Sequence, residues 1–307
     1  MFLHPHGGFD NSAAPARHIE VVPLAAAMGA EIRGVHVAQA SGEQFAEIEQ
    51  ALFRHKMIFF RAQKMGHAEH HAFSLRFGNF AEDAYTDGMP GYQEVQPLVK
   101  EADDRSAHVF GSGWHTDSPF LPAPPAITML RSVQVPPWGG DTMWANAALA
   151  YRTLGPVTQQ VCAQLKVRFS MRDVLASARE NAEPRDNPVG KLVATRGMAE
   201  LPAGLRRKVE GAAHPLVRTH ARSGEKSLYV DPSYAIGIEG MHVTESAPLL
   251  KMLTDHLTQP AFTCRLRWEP DMLVLWDNRL CVHQAFNDYD GYRREMYRTT
   301  IAGEVPA

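Results

Sequence analysis

Residues 111–120 read GSGWHTDSPF, which sets a histidine and an aspartate two apart, between a tryptophan and a Ser-Pro step. One imidazole and one carboxylate can share a metal ion, and a second imidazole would complete a 2-His-1-carboxylate facial triad. The H-x-[DE] spacing is not selective, because His18 with Glu20 and His67 with Glu69 repeat it. In an extended segment residues i and i+2 point to one side, so His115 and Asp117 project together while Thr116 faces away. The competing reading of this pair alone is a buried histidine beside a carboxylate. His67 and Glu69 open a predicted helix, where a glutamate suits the N-terminal dipole without any metal. His18 and Glu20 enter a predicted first strand with no third ligand nearby. A third ligand for His115 and Asp117 must come from far along the chain. Among the 15 histidines, His283 in WDNRLCVHQAFNDYDGYRREMYRTT is the best placed. It follows the apolar strand MLVLW and precedes the strand that ends the chain.

Several elements must position these groups. HIEVVPL, AEIRGVHV and HKMIFFRAQ read as strands, since apolar and β-branched residues cluster between breakers. SGEQFAEIEQALFRHK reads as a helix with Ser41 as N-cap and an apolar stripe of Phe45, Ile48, Leu52 and Phe53. GHAEHHAFSLRFG reads as a second helix closed by Gly78. PPAITMLRSVQVPPWGGDTMWANAALAYRTL is strand, Pro-Gly turn, strand, helix. HPLVRTHARSGEKSLYVDP reads as two strands joined by a Ser-Gly turn, and FTCRLRWEPDMLVLWDNRLCVHQAF as strand, turn, strand, turn. REMYRTTIAG alternates and ends the chain as a strand. Helices early and strands with tight turns later predict a mainly β fold with helical decoration, and a double-stranded β-helix (jelly roll) core fits this order.

The bulk numbers exclude more than they assert. With 307 residues, 45% of them hydrophobic, the chain has ample length for a buried core. A formal net charge of −3 gives no electrostatic reason to expect nucleic acid or an anionic membrane. No apolar run reaches the roughly 18 residues that span a bilayer. Cys162, Cys264 and Cys281 are too scattered for a disulfide framework or a zinc pattern, which suits a reducing cytosol. The leading MFLHPHGGFDNSAAPARHIEVV has no signal-peptide core, so the expected location is cytoplasmic. Residues 1–15 are expected to be a flexible tail, and 16–307 a single domain with helical insertions. Neither G-x-G-x-x-G after a strand nor G-x-x-x-x-G-K-[ST] occurs, so nucleotide-binding α/β folds have little support.

Taken in order, several stretches resemble the taurine dioxygenase family of Fe(II)/2-oxoglutarate-dependent oxygenases. They are RFG at 76–78, WHTD at 114–117, PP at 124–125 and GGDTMWAN at 139–146. HPLVRTHARSGEKSLYV at 214–230 and LVLWDNRLCVHQAFNDYDGYRREMYRTTIAG at 273–303 complete the set. The resemblance runs from about residue 18 to residue 303. It implies that His115, Asp117 and His283 hold Fe(II), with positions left for 2-oxoglutarate and O2. It implies that Arg294, eleven residues after the distal histidine, grips the far carboxylate of 2-oxoglutarate with help from Thr142. Trp144 would pack beside the site. Arg298, two strand steps beyond Arg294 on the same face, is the position that grips a substrate anion in sulfonate-using relatives.

The substrate end departs from the taurine pattern. Taurine-specific members carry a histidine in the loop after RFG, whereas NFAEDAYTDG puts Asp83 there, followed by Tyr85. An acid in that place repels a sulfonate. Just upstream of the ligands HVFGSGWHTD offers Ser112 flanked by glycines, in a stretch where the taurine pattern has an asparagine. GWHTDSPFLPAPPA and FTCRLRW look closer to relatives that oxidise aryloxyalkanoates at the carbon beside the ether oxygen. The expected substrate is therefore a small organic acid of aryloxyalkanoate, sulfonate or sulfate-ester type, and the resemblance allows a homo-oligomer, a dimer or a tetramer. Two rival readings are a metal-binding sensor or catalytically silent jelly roll, and a zinc hydrolase on the same triad. The hydrolase would need a general base beside a metal-bound water and would have no use for Arg294.

Overall fold

A computed structural model describes residues 8–82, 88–105, 111–173, 207–208 and 210–307. The chain starts with an antiparallel pair, β1 (Glu20–Pro23) and β2 (Ala30–Arg33). Helix α1 (Gly42–His55) leads into β3 (Met57–Phe60), which runs parallel to β2. The start of α1 is chemically defined. The Gln44 N–H donates to the Ser41 hydroxyl at 3.2 Å, and the Ser41 N–H donates to Gln44 Oε1 at 3.0 Å. Two orphan amides of the first turn are thereby satisfied. The buried stripe is Ile48, Ala51, Leu52 and His55, with Phe45 and Phe53 half-buried along its edges.

Helix α2 (His67–Leu75) opens as expected, with the Gly66 N–H donating to Glu69 Oε2 at 2.7 Å. It ends before Gly78. The Arg76 and Phe77 amides turn back in the tighter 3₁₀ pattern, to Phe73 O and Ser74 O. Two other expectations change. β1 begins at Glu20, and His18 lies outside it, exposed, with its N–H on Glu47. Residues 8–15 do not form a loose tail: Asn11 is buried and donates to Ala25 O and Gly29 O, and Phe9 packs near Phe262.

Further along come β4 (Gln96–Lys100), β5 (Ile127–Gln134), β6 (Thr142–Asn146), α3 (Ala147–Thr153) and α4 (Pro156–Cys162). Next are β7 (Lys166–Phe169), β8 (Ala212–Pro215), β9 (Val217–Thr219), β10 (Lys226–Leu228), β11 (Ala235–Ile238) and α5 (Val243–Leu257). The chain closes with β12 (Thr263–Leu266), β13 (Leu273–Asp277), β14 (Cys281–Ala285) and β15 (Arg294–Ile301). The main sheet has the order β1-β2-β3-β13-β5-β15-β4, and it is faced by smaller sheets ordered β12-β6-β14 and β11-β7-β8. This is a jelly roll carrying helices.

Alternation along the strands explains the layering. Met57 and Phe59 of β3 enter the core between the sheets, with Leu130, Val274, Trp276, Met296 and Trp144. Ile58 and Phe60 face the other way and pack with Ile127, Met129 and Leu275 beneath Ile48 and Leu52 of α1 and Phe73 of α2. MIFF therefore reads as a continuous apolar run because both of its faces are covered. Truncating either buried phenylalanine to alanine should cost about 3–5 kcal/mol. Among the described residues no helix is long and apolar enough to cross a membrane. All three cysteines are buried and free.

Candidate active site

The fold brings His115, Asp117 and His283 together: one ligand atom from each lies within 4.8 Å of the others. His115 and His283 form a single antiparallel bridge that extends the small β12-β6-β14 sheet. The His115 N–H donates to His283 O at 2.9 Å, and the His283 N–H donates to His115 O at 2.7 Å. Directly opposed residues share a face, so the two rings stand 4.1 Å apart between centroids. Asp117, two residues on, sets Oδ1 3.9 Å from Nε2 of each histidine. Thr116 points away, and its hydroxyl donates to Asn278 O at 2.9 Å. The loop before His115 requires glycine: Gly111 has φ +81°, and a Cβ there would lie 3.0 Å from His115 Cε1.

The surroundings fix each ligand's chemistry. His115 Nδ1 donates to Gly113 O at 2.7 Å, which leaves Nε2 with its lone pair toward the cluster. Burial lowers the His115 imidazole below its usual value and pushes His283 down to about 3. Both rings are therefore neutral ligands at pH 7. The His283 ring packs 4.7 Å from Trp276, and its buried Nδ1 has no hydrogen-bond partner among the described residues. Burial alone would raise the Asp117 carboxyl, but His283, Arg298, His115 and the Thr128 bond together hold it below the ordinary range. Thr128 on β5 donates to Asp117 Oδ2 and accepts from Asn278 Nδ2 at 2.8 Å. Asn278 Oδ1 in turn accepts from Trp276 Nε1 at 3.0 Å.

The segment is clamped from a second side. Asp231, fully buried, accepts the Thr116 N–H at 2.6 Å, the Ser233 N–H at 2.7 Å and the Tyr234 N–H at 2.9 Å. The Ser233 hydroxyl donates to Trp114 O at 2.9 Å. Burial pushes the Asp231 carboxyl up to about 7.

A separate polar group surrounds Arg294. Its guanidinium lies 5.8 Å from the Trp268 ring centroid and hydrogen-bonds the buried Tyr289. Trp268 Nε1 donates to the Thr142 hydroxyl at 3.0 Å, so Thr142 and Arg294 belong to one cluster. Burial lowers the Arg294 guanidinium below its usual value, and Tyr289 partly offsets this. Arg294 Nε is buried and has no hydrogen-bond partner among the described residues. Lys100 stands opposite Arg294 across the β4–β15 pair, with its Nζ 4.7 Å from the Tyr289 ring centroid. Trp144 is fully buried directly opposite His283, edge-on to Trp276.

Arg298 lies on the same face as Arg294, about 13 Å along the strand. It is buried, bonded to Gln96, and 3.8 Å from Asp117 Oδ1. Ser112 is half-buried, and its carbonyl accepts from Gln284 Nε2 at 3.2 Å. Asp83 and Tyr85 lie outside the described residues. Sequence reasoning missed Thr128, Asn278, Asp231, Gln96, Tyr289 and Trp268. Only Asn278, inside WDNR beside the proposed ligand strand, carried a local signal.

The model of the family described as "Taurine catabolism dioxygenase TauD, TfdA family" matches residues 20–300. The chain belongs to this family. The TauD, TfdA relationship extends to an alpha-ketoglutarate-dependent sulfate ester dioxygenase of Pseudomonas putida. That protein is 33% identical over 297 residues, covering 96% of this chain and 93% of its own length. An alkylsulfatase of Acinetobacter baylyi is 32% identical over 295 residues, covering 95% and 87%. The crystal structure of a taurine dioxygenase from Burkholderia xenovorans superposes with a TM-score of 0.76 at 33% identity, covering 95% of this chain and 91% of that one. The residues present fit the iron and 2-oxoglutarate of such enzymes. Two neutral imidazoles and one carboxylate suit Fe(II), and the Arg294 Nε–H, without a hydrogen-bond partner among the described residues, suits a carboxylate.

Proposed function

We propose that this chain is an Fe(II)- and 2-oxoglutarate-dependent dioxygenase that hydroxylates a C–H bond of a small organic acid. Succinate and CO2 are released, with one oxygen atom of O2 entering each of succinate and product. The observation that carries this reading is the pairing of the His115–Asp117–His283 cluster with a half-buried Arg294, its Nε buried, beside Thr142. A zinc hydrolase has no use for the second feature, and nothing in the site favours a silent sensor module.

His115, Asp117 and His283 would hold the iron, which when bound would supply the oxidation of the C–H bond. The chain's own residues do the rest. Gly113 O fixes the His115 tautomer, and Thr128 turns one Asp117 oxygen away from the cluster. Arg294 and the Thr142 hydroxyl take the distal carboxylate of 2-oxoglutarate. Trp144 and Trp276 make the floor apolar, which excludes water. Arg298 takes the acid group of the substrate, and Ser112 lines the substrate end.

The names of the two relatives above favour a sulfate ester, and those of further relatives make aryloxyalkanoates and sulfonates the neighbouring choices. Hydroxylation beside an ester or ether oxygen gives a hemiacetal-like carbon that collapses to a carbonyl and the free sulfate or phenol. The unit proposed is a single cytoplasmic domain, with residues 8–15 packed onto it, that assembles as a homo-oligomer, which light scattering would measure. Oxygen uptake and succinate formation across alkyl sulfates, sulfonates and aryloxyalkanoates test the activity. Turnover without added Fe(II) or without 2-oxoglutarate, or none on any panel member, would refute it.

A further inference from the structure

Trp268 touches both groups assigned to the distal carboxylate of 2-oxoglutarate. It lies two residues beyond Leu266, which stands directly opposite Thr142 in the β12–β6 pair. From there its Nε1 donates to the Thr142 hydroxyl at 3.0 Å. Its ring centroid is 5.8 Å from the Arg294 guanidinium carbon, within cation–π range. Trp268 and Thr142 are both buried, so the bond between them is shielded from solvent.

The direction of this bond is fixed by chemistry. An indole N–H can only donate, whereas a hydroxyl has one proton to donate and two lone pairs to accept with. Thr142 is therefore the acceptor, and its own proton is directed away from Trp268. Among the described residues that hydroxyl makes no other hydrogen bond. Arg294 Nε is likewise a buried donor with no hydrogen-bond partner among them. Two donors in one cluster, both in contact with Trp268, suit a group that only accepts, and a carboxylate is such a group. A threonine free to turn could present a lone pair instead of its proton, and a lone pair repels a carboxylate.

We propose that Trp268 is a positioning residue that fixes the Thr142 hydroxyl as a donor toward the distal carboxylate, beside Arg294. This end of the site thereby selects a keto acid with a second carboxylate over one with an apolar tail. The inference rests on the reading of Arg294 and Thr142 as the residues that take that carboxylate. In Trp268→Phe an aromatic ring still faces Arg294, but the N–H is gone and the Thr142 hydroxyl turns freely.

The test is calorimetric binding of two keto acids to the Mn(II)-loaded protein without oxygen, so that no turnover is required. One is 2-oxoglutarate. The other is 2-oxovalerate, which keeps the chelating end and has a methyl in place of the distal carboxylate. Trp268→Phe is expected to weaken 2-oxoglutarate by about five- to tenfold and 2-oxovalerate by less than about twofold. In a Thr142→Val background, where there is no hydroxyl to orient, the same substitution should cost 2-oxoglutarate less than about twofold. A second measurement needs no variant at position 268. In the Zn(II)-loaded parent the Trp268 indole N–H proton resonance, identified by its displacement in Thr142→Val, should move downfield with 2-oxoglutarate and not with 2-oxovalerate. A hydroxyl that donates to an anion becomes a stronger acceptor.

The proposal is overturned if Trp268→Phe binds 2-oxoglutarate within about twofold of the parent, or weakens both keto acids alike. It is equally overturned if the loss persists undiminished in the Thr142→Val background, or if the indole resonance responds to both keto acids in the same way. If the parent itself binds the two keto acids equally, the reading of Arg294 and Thr142 fails and takes the proposal with it. If the parent distinguishes them and Trp268→Phe distinguishes them as well, that reading stands and only the role of Trp268 falls.

Discussion

His115 and His283 exchange both of their backbone hydrogen bonds, N–H to O in each direction, although they lie 168 positions apart in the chain. Their side chains therefore emerge on one face by the geometry of an antiparallel pair, and Asp117 joins them by the period of two. The ligand set is built on the backbone ladder rather than on loop packing.

Removal of any one ligand should abolish turnover and leave the fold standing. His115→Ala, Asp117→Ala and His283→Ala should each lose Fe(II)-dependent succinate formation and Mn(II) binding, with far-ultraviolet circular dichroism unchanged. The backbone bridge survives each substitution because it uses no side-chain atoms. Near-normal activity of any of the three with added Fe(II) would disprove the triad.

Arg294→Ala should raise the KM for 2-oxoglutarate by about ten- to 150-fold, from the loss of a charge-assisted bond worth roughly 1.5–3 kcal/mol. Arg294→Lys should recover only part of this, since an ammonium cannot reproduce the guanidinium fork. An unchanged KM in the alanine variant would move the role to another cation, with Lys100, its cross-strand neighbour, the first to examine.

Asp231→Asn should loosen the ligand segment without touching a ligand. The carboxylate receives three backbone N–H groups, and an amide offers one acceptor oxygen and sets an NH2 against the remaining donors. A loss of about 1–3 kcal/mol in urea denaturation is expected, together with weaker Mn(II) binding. Stability loss with unaltered metal affinity would confine Asp231 to the fold.

Acid should destabilise the protein in a window set by buried histidines. Burial pushes His70 down to about 3 and His55 down to about 4. Both folded-state values lie below the roughly 6.5 of an unfolded histidine, so the unfolded chain takes up these protons first. The stability they confer is complete above about pH 6.5 and falls as pH drops toward those values. Each histidine adds a slope of about 1.4 kcal/mol per pH unit within its window. His70→Gln should flatten the stability curve between pH 6 and pH 4 by about that amount relative to the parent. Parallel curves would show that His70 does not carry the effect.

The sequence by itself determined the local parts. Ser41 and Gln44 announce the start of α1 because a capping box needs only neighbours three apart. The H-x-D spacing puts two ligands on one side because the strand period is local, and ordered motifs gave His283, Arg294 and Thr142 by resemblance. Tertiary structure alone decided which strand lies beside which. Thr128 reaches Asp117 because β5 pairs with β13, whose end carries Asn278. Gln96 reaches Arg298 because the edge strand β4 pairs with β15 in one register, and a slip of a single residue would turn it to the other face. Asp231 reaches Thr116 across a turn that no periodicity predicts. Alternation tells which residues share a face of their own strand. It does not tell which strand comes to lie next to it, because that is chosen by the burial of both faces of the main sheet at once.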